Sequence, residues 1–148
     1  KTCAFTPIPN PPERQRSYIV SLLNLIAMVQ VDISQLSAEC NAWRAQLRNY
    51  RDELMQDEQQ IRQVAGKPLS KDQLQEVEHL HNQFHIQLIN IHDLKQSIKL
   101  HERQLQIESP ASEDSTNTHE TLLDEFRSLE QTLQQLRSEF SGFLSRTS

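Results

Sequence analysis

From Ile19 onward, apolar residues return at every seventh position: Ile19, Ile26, Ile33, Cys40, Leu47, Leu54 and Ile61. A second series, offset by three, reads Leu22, Val29, Leu36, Trp43, Tyr50, Asp57 and Val64. Thirteen of these fourteen positions are apolar and only Asp57 interrupts them, so the repeat of 3.5 residues is that of a left-handed coiled-coil seam. Start and stop signals bracket the pattern. Asn10-Pro11-Pro12-Glu13 places a capping side chain, a helix-opening proline and an acid at the third position. Ala65-Gly66-Lys67-Pro68 supplies a glycine for the left-handed terminal position and a proline that cannot continue the helix. Helix 1 is expected over about residues 10–65.

Leu69-Ser70-Lys71-Asp72-Gln73-Leu74 opens a second helix, with Ser70 and Gln73 forming a capping box, and predicts helix 2 over about residues 70–108. One of its seven-residue series is apolar throughout: Val77, Phe84, Ile91, Ile98 and Leu105. The companion series is expected at Leu74, His81, Leu88, Lys95 and Glu102, which weakens the seam toward the helix end. Residues 109–118 are rich in Ser, Thr and acid without apolar periodicity and predict a mobile loop, in which Ser109-Pro110 is a candidate phosphorylation site. Helix 3 is expected over about 119–146, with Leu122, Phe126, Leu129, Leu133, Leu136, Phe140 and Phe143 alternating by four and three.

The fold class is therefore all-α, three long antiparallel heptad-patterned helices of about 80, 57 and 42 Å at 1.5 Å per residue. Helix 2 folded back covers helix 1 to about residue 26, and helix 3 then runs beside the first half of helix 1. Helix 1 could instead pair with its copy in another chain. The plan resembles spectrin-type repeats, with Trp43 on helix 1 inviting the comparison. The likeness is one of periodicity: the unit is not repeated, no aromatic of helix 3 answers Trp43 in a matching motif, and helix 1 is long relative to helix 3.

Composition narrows the picture further. Two glycines in 148 residues cannot make the turns of a sandwich or a Gly-rich nucleotide loop. A net charge of −5 gives no general attraction to nucleic acid or to an anionic membrane surface. Residues 1–9 carry Pro7 and Pro9 and predict an extended arm. The chain opens on Lys1 without a basic-then-apolar leader, which reads as a piece of a longer protein. Two lone cysteines, Cys3 and Cys40, make no disulfide framework and suggest a reducing, intracellular setting, cytoplasmic or nuclear. The apolar stretch Tyr18–Val31 is too short and too polar to span a bilayer.

Candidate chemistry is sparse. Cys40 lies on the seam, where a thiol acts as a small hydrophobe. His79, His81, His85, His92 and His101 share helix 2, and Glu78, His81 and His85 have a spacing that can reach one metal. A bundle metal site of this kind repeats Glu-x-x-His on a second helix, and none occurs, so His81 is read as a seam residue and the other histidines as solvated. Arg44, Arg48 and Arg51 read as a solvated stripe with Asp52 and Glu53 beside it. No catalytic residue, metal, cofactor or small-molecule substrate is expected.

The anomaly is apolar surplus outside the seams. Val20, Leu23, Ala27 and Val31, with Leu25 and Met28, leave the first half of helix 1 apolar nearly all round, and Ile86, Ile89, Leu100 and Ile107 form a sparser stripe on helix 2. Either helix 3 and the Pro-rich arm cover these faces or another protein does. Val20, Leu23, Leu25, Met28 and Val31 are thus the candidate partner-binding residues. The expected function is a non-enzymatic interaction module that assembles a multi-subunit scaffold by coiled-coil packing, as a homo-oligomer or a hetero-complex. The alternative is a monomeric helical spacer of a regulated adaptor, of cytoskeletal or trafficking type, whose contacts come from the Pro-rich arm and the Ser-rich loop.

Overall fold

The computed structural model describes residues 13–107 and 112–147, with side chains undescribed at 26–32. The described residues are all-helical: α1 is Glu13–Ala65, α2 is Lys71–Ile107 and α3 is Glu113–Thr147. The turn between α1 and α2 closes through the Gly66 amide donating to the Gln63 carbonyl at 3.3 Å and that of Lys67 to Val64 at 3.1 Å. At the start of α2, the Ser70 amide donates to Gln73 Oε1 at 2.9 Å and the Gln73 amide to Ser70 Oγ at 3.2 Å, which satisfies two orphan donors reciprocally.

Helix α3 begins earlier than its composition suggests, and residues 113–118 are helical rather than a loop. Ser112 Oγ accepts from the Ser115 amide at 3.1 Å, and Glu113 and Asp114 lie in the first turn, where their charge suits the helix dipole. Thr116, Thr118 and Thr121 donate their hydroxyls to carbonyls four residues back, so these polar side chains are satisfied within the helix.

The three described helices pack as a helical bundle. Helix α2 runs antiparallel to both neighbours, as Arg44–Glu102 and Glu58–His81 show against α1, and Phe84–Phe140 and Glu76–Arg146 against α3. Helices α1 and α3 are therefore parallel, with one register: Glu39 meets His119, Tyr50 meets Glu130 and Asp57 meets Arg137, each pair 80 residues apart. Helix α3 consequently covers the second half of α1, not the first.

On α1 the buried positions are Cys40, Trp43, Leu47, Leu54, Asp57, Ile61 and Val64, with Ile33, Leu36 and Tyr50 half-buried at the same spacing. On α3, Leu122, Phe126, Leu129, Leu133, Leu136, Phe140 and Phe143 are buried, and Ser115 and His119 extend the row toward the N-terminus. Trp43 does meet aromatics of α3: its ring lies 6.0 Å from Phe126 and 4.6 Å from His119. On α2, Val77, Phe84, Ile91, Ile98 and Leu105 are buried as expected, but their companions are Leu80, Gln87, Leu94 and His101. The series Leu74, His81, Leu88, Lys95 and Glu102 flanks this core instead, with Leu74 exposed and the other four half-buried. The true companion is displaced by one residue because α2 must face α1 and α3 at once.

Candidate functional site

Two features stand apart from ordinary bundle packing. The first is the beginning of α1. All side chains of residues 13–25 are exposed, among them Tyr18, Ile19, Val20, Leu22, Leu23 and Leu25, with Leu23 at 59% and Leu25 at 61%. Ile19 and Leu22 were expected to be buried in the seam and are not. The cause is length: α1 has 53 residues, whereas α2 and α3 have 37 and 35, so neither reaches this end. At 100° per residue the six apolar side chains sweep about 220° of the helix, and Ser17, Ser21 and Asn24 fill the remainder. The candidate contact residues Val20, Leu23 and Leu25 belong to this exposed surface. Met28 and Val31 lie outside the described side chains, as does the seam residue Ile26, and Ser109 lies outside the described residues.

The second feature is a polar cluster inside the bundle, at the end from which α1 projects. Cys40 of α1, His101 of α2 and His119 of α3 are 0%, 2% and 5% exposed. Each occupies a core position of its own helix, so the packing of the three helices brings them together. His101 Nε2 lies 3.2 Å from His119 Nδ1, and Cys40 Sγ lies 3.9 Å from that same nitrogen. On the far side of the ring, His119 Nε2 is 2.7 Å from a carboxylate oxygen of Glu39. A carboxylate can only accept, so His119 carries its proton on Nε2 and presents the Nδ1 lone pair to Cys40 and His101. The hydrogen bond from His119 lowers the pKa of Glu39 below the usual carboxylate value. Burial, reinforced by the nearby charge of Glu102, pushes the Cys40 thiol up to about 11, which does not suit a nucleophile. Cys40 is buried as expected, but against two imidazoles rather than in a purely apolar layer.

The remaining histidines of α2 stay at the surface. His79, His85 and His92 are exposed, and His81 is half-buried beside Glu58 at 3.5 Å. His101 was expected to be solvated with them, but its place in the row Leu80, Gln87, Leu94, His101 carries it into the core. Arg44 also departs from the solvated stripe, pairing with Glu102 of α2 at 3.0 Å. Arg48 and Arg51 remain exposed. A groove between α2 and α3 is lined by Gln87, Asn90, Asp93, Ser97, Glu125 and Ser128, with neither histidine nor cysteine on its walls. Among the described residues no helix is long and apolar enough to cross a membrane.

Compared with protein-family models, with curated proteins and with solved structures, the chain matches none. Its functional reading therefore rests on the two features above.

Proposed function

We propose that this chain is a non-enzymatic interaction module that assembles an oligomer of itself through coiled-coil packing of the projecting start of α1. The observation that carries this reading is the run of exposed apolar side chains from Tyr18 to Leu25. An apolar arc wider than half the helix exceeds what a single seam buries and calls for two neighbouring helices. Each of these half-exposed side chains stands to gain on the order of 1 kcal/mol by full burial, and six together offset a substantial part of the entropic cost of association. A second copy is the simplest occupant, because it brings the same unburied arc and gains equally. Helix α1 also continues its seven-residue pattern through this segment, so pairing between copies extends the packing already present in the bundle.

The test is mass in solution by light scattering at tens of micromolar, on the natural chain and on a Leu22→Glu, Leu25→Glu variant. The expected result is an oligomer that becomes monomeric in the variant with helix content retained, since these positions lie outside the core. A monomeric natural chain would overturn self-assembly and favour the spacer reading. An oligomer that survives both charges would show that the interface lies elsewhere.

A further inference from the structure

We propose that Cys40, His101 and His119 form a metal site for zinc, with Glu39 as the group that orients His119. One ligand atom from each of Cys40, His101 and His119 lies within 4.8 Å of those of the other two, and the three residues come from three different helices. A tetrahedral zinc ion with bonds of about 2.0–2.1 Å to nitrogen and 2.3 Å to sulfur separates its nitrogens by about 3.3 Å and sulfur from nitrogen by about 3.6 Å. The observed separations from His119 Nδ1 are 3.2 Å to nitrogen and 3.9 Å to sulfur. The nitrogen separation matches, and the sulfur lies about 0.3 Å beyond the ideal, a gap the Cys40 side chain closes on binding.

Hydrogen bonding alone explains this arrangement less well. The single lone pair on His119 Nδ1 accepts one hydrogen bond well, yet both His101 Nε2 and Cys40 Sγ converge on it. A cation at the point of convergence uses all three atoms. The Glu39 carboxylate already holds His119 in the tautomer a metal requires and faces the ring nitrogen remote from the ligand atoms, the carboxylate–histidine–metal arrangement that raises ligand basicity. One thiolate and two imidazoles are a borderline-soft set, which zinc accepts readily and magnesium or calcium does not. Three protein ligands leave one position for water. Binding ties α1, α2 and α3 together at the end of the bundle from which the apolar segment projects.

The experiment uses the full chain in a Cys3→Ser background, so that Cys40 is the only thiol, stripped with chelator and titrated with zinc, and separately with cobalt(II) as a spectroscopic probe. We expect one zinc per chain, a melting temperature several degrees higher, and a cobalt spectrum with a thiolate-to-metal absorption and intense tetrahedral bands. Cys40→Ala should abolish that absorption and weaken zinc binding by at least about 100-fold while circular dichroism shows an intact helical fold. Glu39→Gln should keep the absorption and weaken binding by about 10–100-fold. His81→Ala, His85→Ala should change neither. Failure to take up stoichiometric zinc at micromolar concentration overturns the site. So does uptake that survives Cys40→Ala, or that is lost in the surface-histidine variant. Should Cys40→Ala not fold, the absence of thiolate absorption in the Cys3→Ser chain is by itself sufficient to refute the assignment.

Discussion

Replacing Asp57 by Leu should stabilise this protein, although it removes an ion pair. Asp57 is 7% exposed and lies on α1 between the buried Leu54 and Ile61. Burial raises its pKa, and Arg137 only partly opposes this, so the site disfavours the charge of the carboxylate. Its partner contacts it at 3.2 Å through Nε, but the Arg137 side chain is 46% exposed and also holds Glu53 at 2.8 Å. Solvent screens such a pair, and its loss costs at most about 1 kcal/mol. Against that, a leucine buried at this level contributes about 1.5–3 kcal/mol, and the desolvation of the carboxylate disappears. The net gain is about 1–3 kcal/mol, or a melting temperature several degrees higher for a chain of this size. Thermal unfolding followed by circular dichroism measures it. The pH dependence supplies a second check. The folded-state pKa of Asp57 is raised by burial despite Arg137, and the neighbouring Glu53 raises it further. The folded state therefore binds the proton more tightly, and the natural chain loses stability as pH rises from the ordinary carboxylate pKa through the raised one. The advantage of Leu should accordingly be larger at neutral pH than at about pH 3. A lower melting temperature at neutral pH, or an advantage that grows on acidification, would show that the link to Arg137 outweighs burial.

The opposite substitution, Leu47→Asp, places a carboxylate at a fully buried position and should cost several kcal/mol, visible as a collapse of the melting temperature or of helix content; unchanged melting would mean that Leu47 is not in a core. Gly142 sits inside α3 on an exposed face, and nothing lies within 4 Å of an added Cβ, so Gly142→Ala should raise stability by about 0.5–1 kcal/mol in denaturant unfolding.

Legibility in the sequence differed between the three helices. The buried rows of α1 and α3 could be read directly, because steps of three and four alternate there between residues that are nearly all apolar. Helix α2 offered two companion rows of similar polarity, and only contact with two neighbours selects Leu80, Gln87, Leu94 and His101. The start of α3 was obscured by composition. Ser112 with Glu113 and Asp114 behind it is a start signal, and stepping back from Leu122 by three and then four reaches His119 and Ser115, both buried. The buried cluster left no such trace, since its members sit on three helices whose relative register local patterning does not determine. His81 and His85 lie one turn apart on the helix, yet the row of α2 leaves His85 exposed and His81 half-buried and turns His101 inward.

The polar residues of the core share one physical role beyond any chemistry they perform. A row of leucines packs nearly as well after sliding by one heptad, whereas a buried polar group is satisfied in one alignment only. Glu39 with His119 and Asp57 with Arg137 lie on the same parallel register of α1 and α3, three heptads apart on α3 less one step of three. Gln87 is also buried on α2, but it accepts from Asn90 of the same helix at 3.2 Å, a bond that does not depend on register. Stability and specificity therefore diverge at these sites. Removing Asp57 raises the first and lowers the second, but the contact between Glu39 and His119 still opposes sliding. A cation shared by Cys40, His101 and His119 would strengthen that opposition further, because it requires all three helices to keep one register, including α2, which the two α1–α3 pairs leave unconstrained.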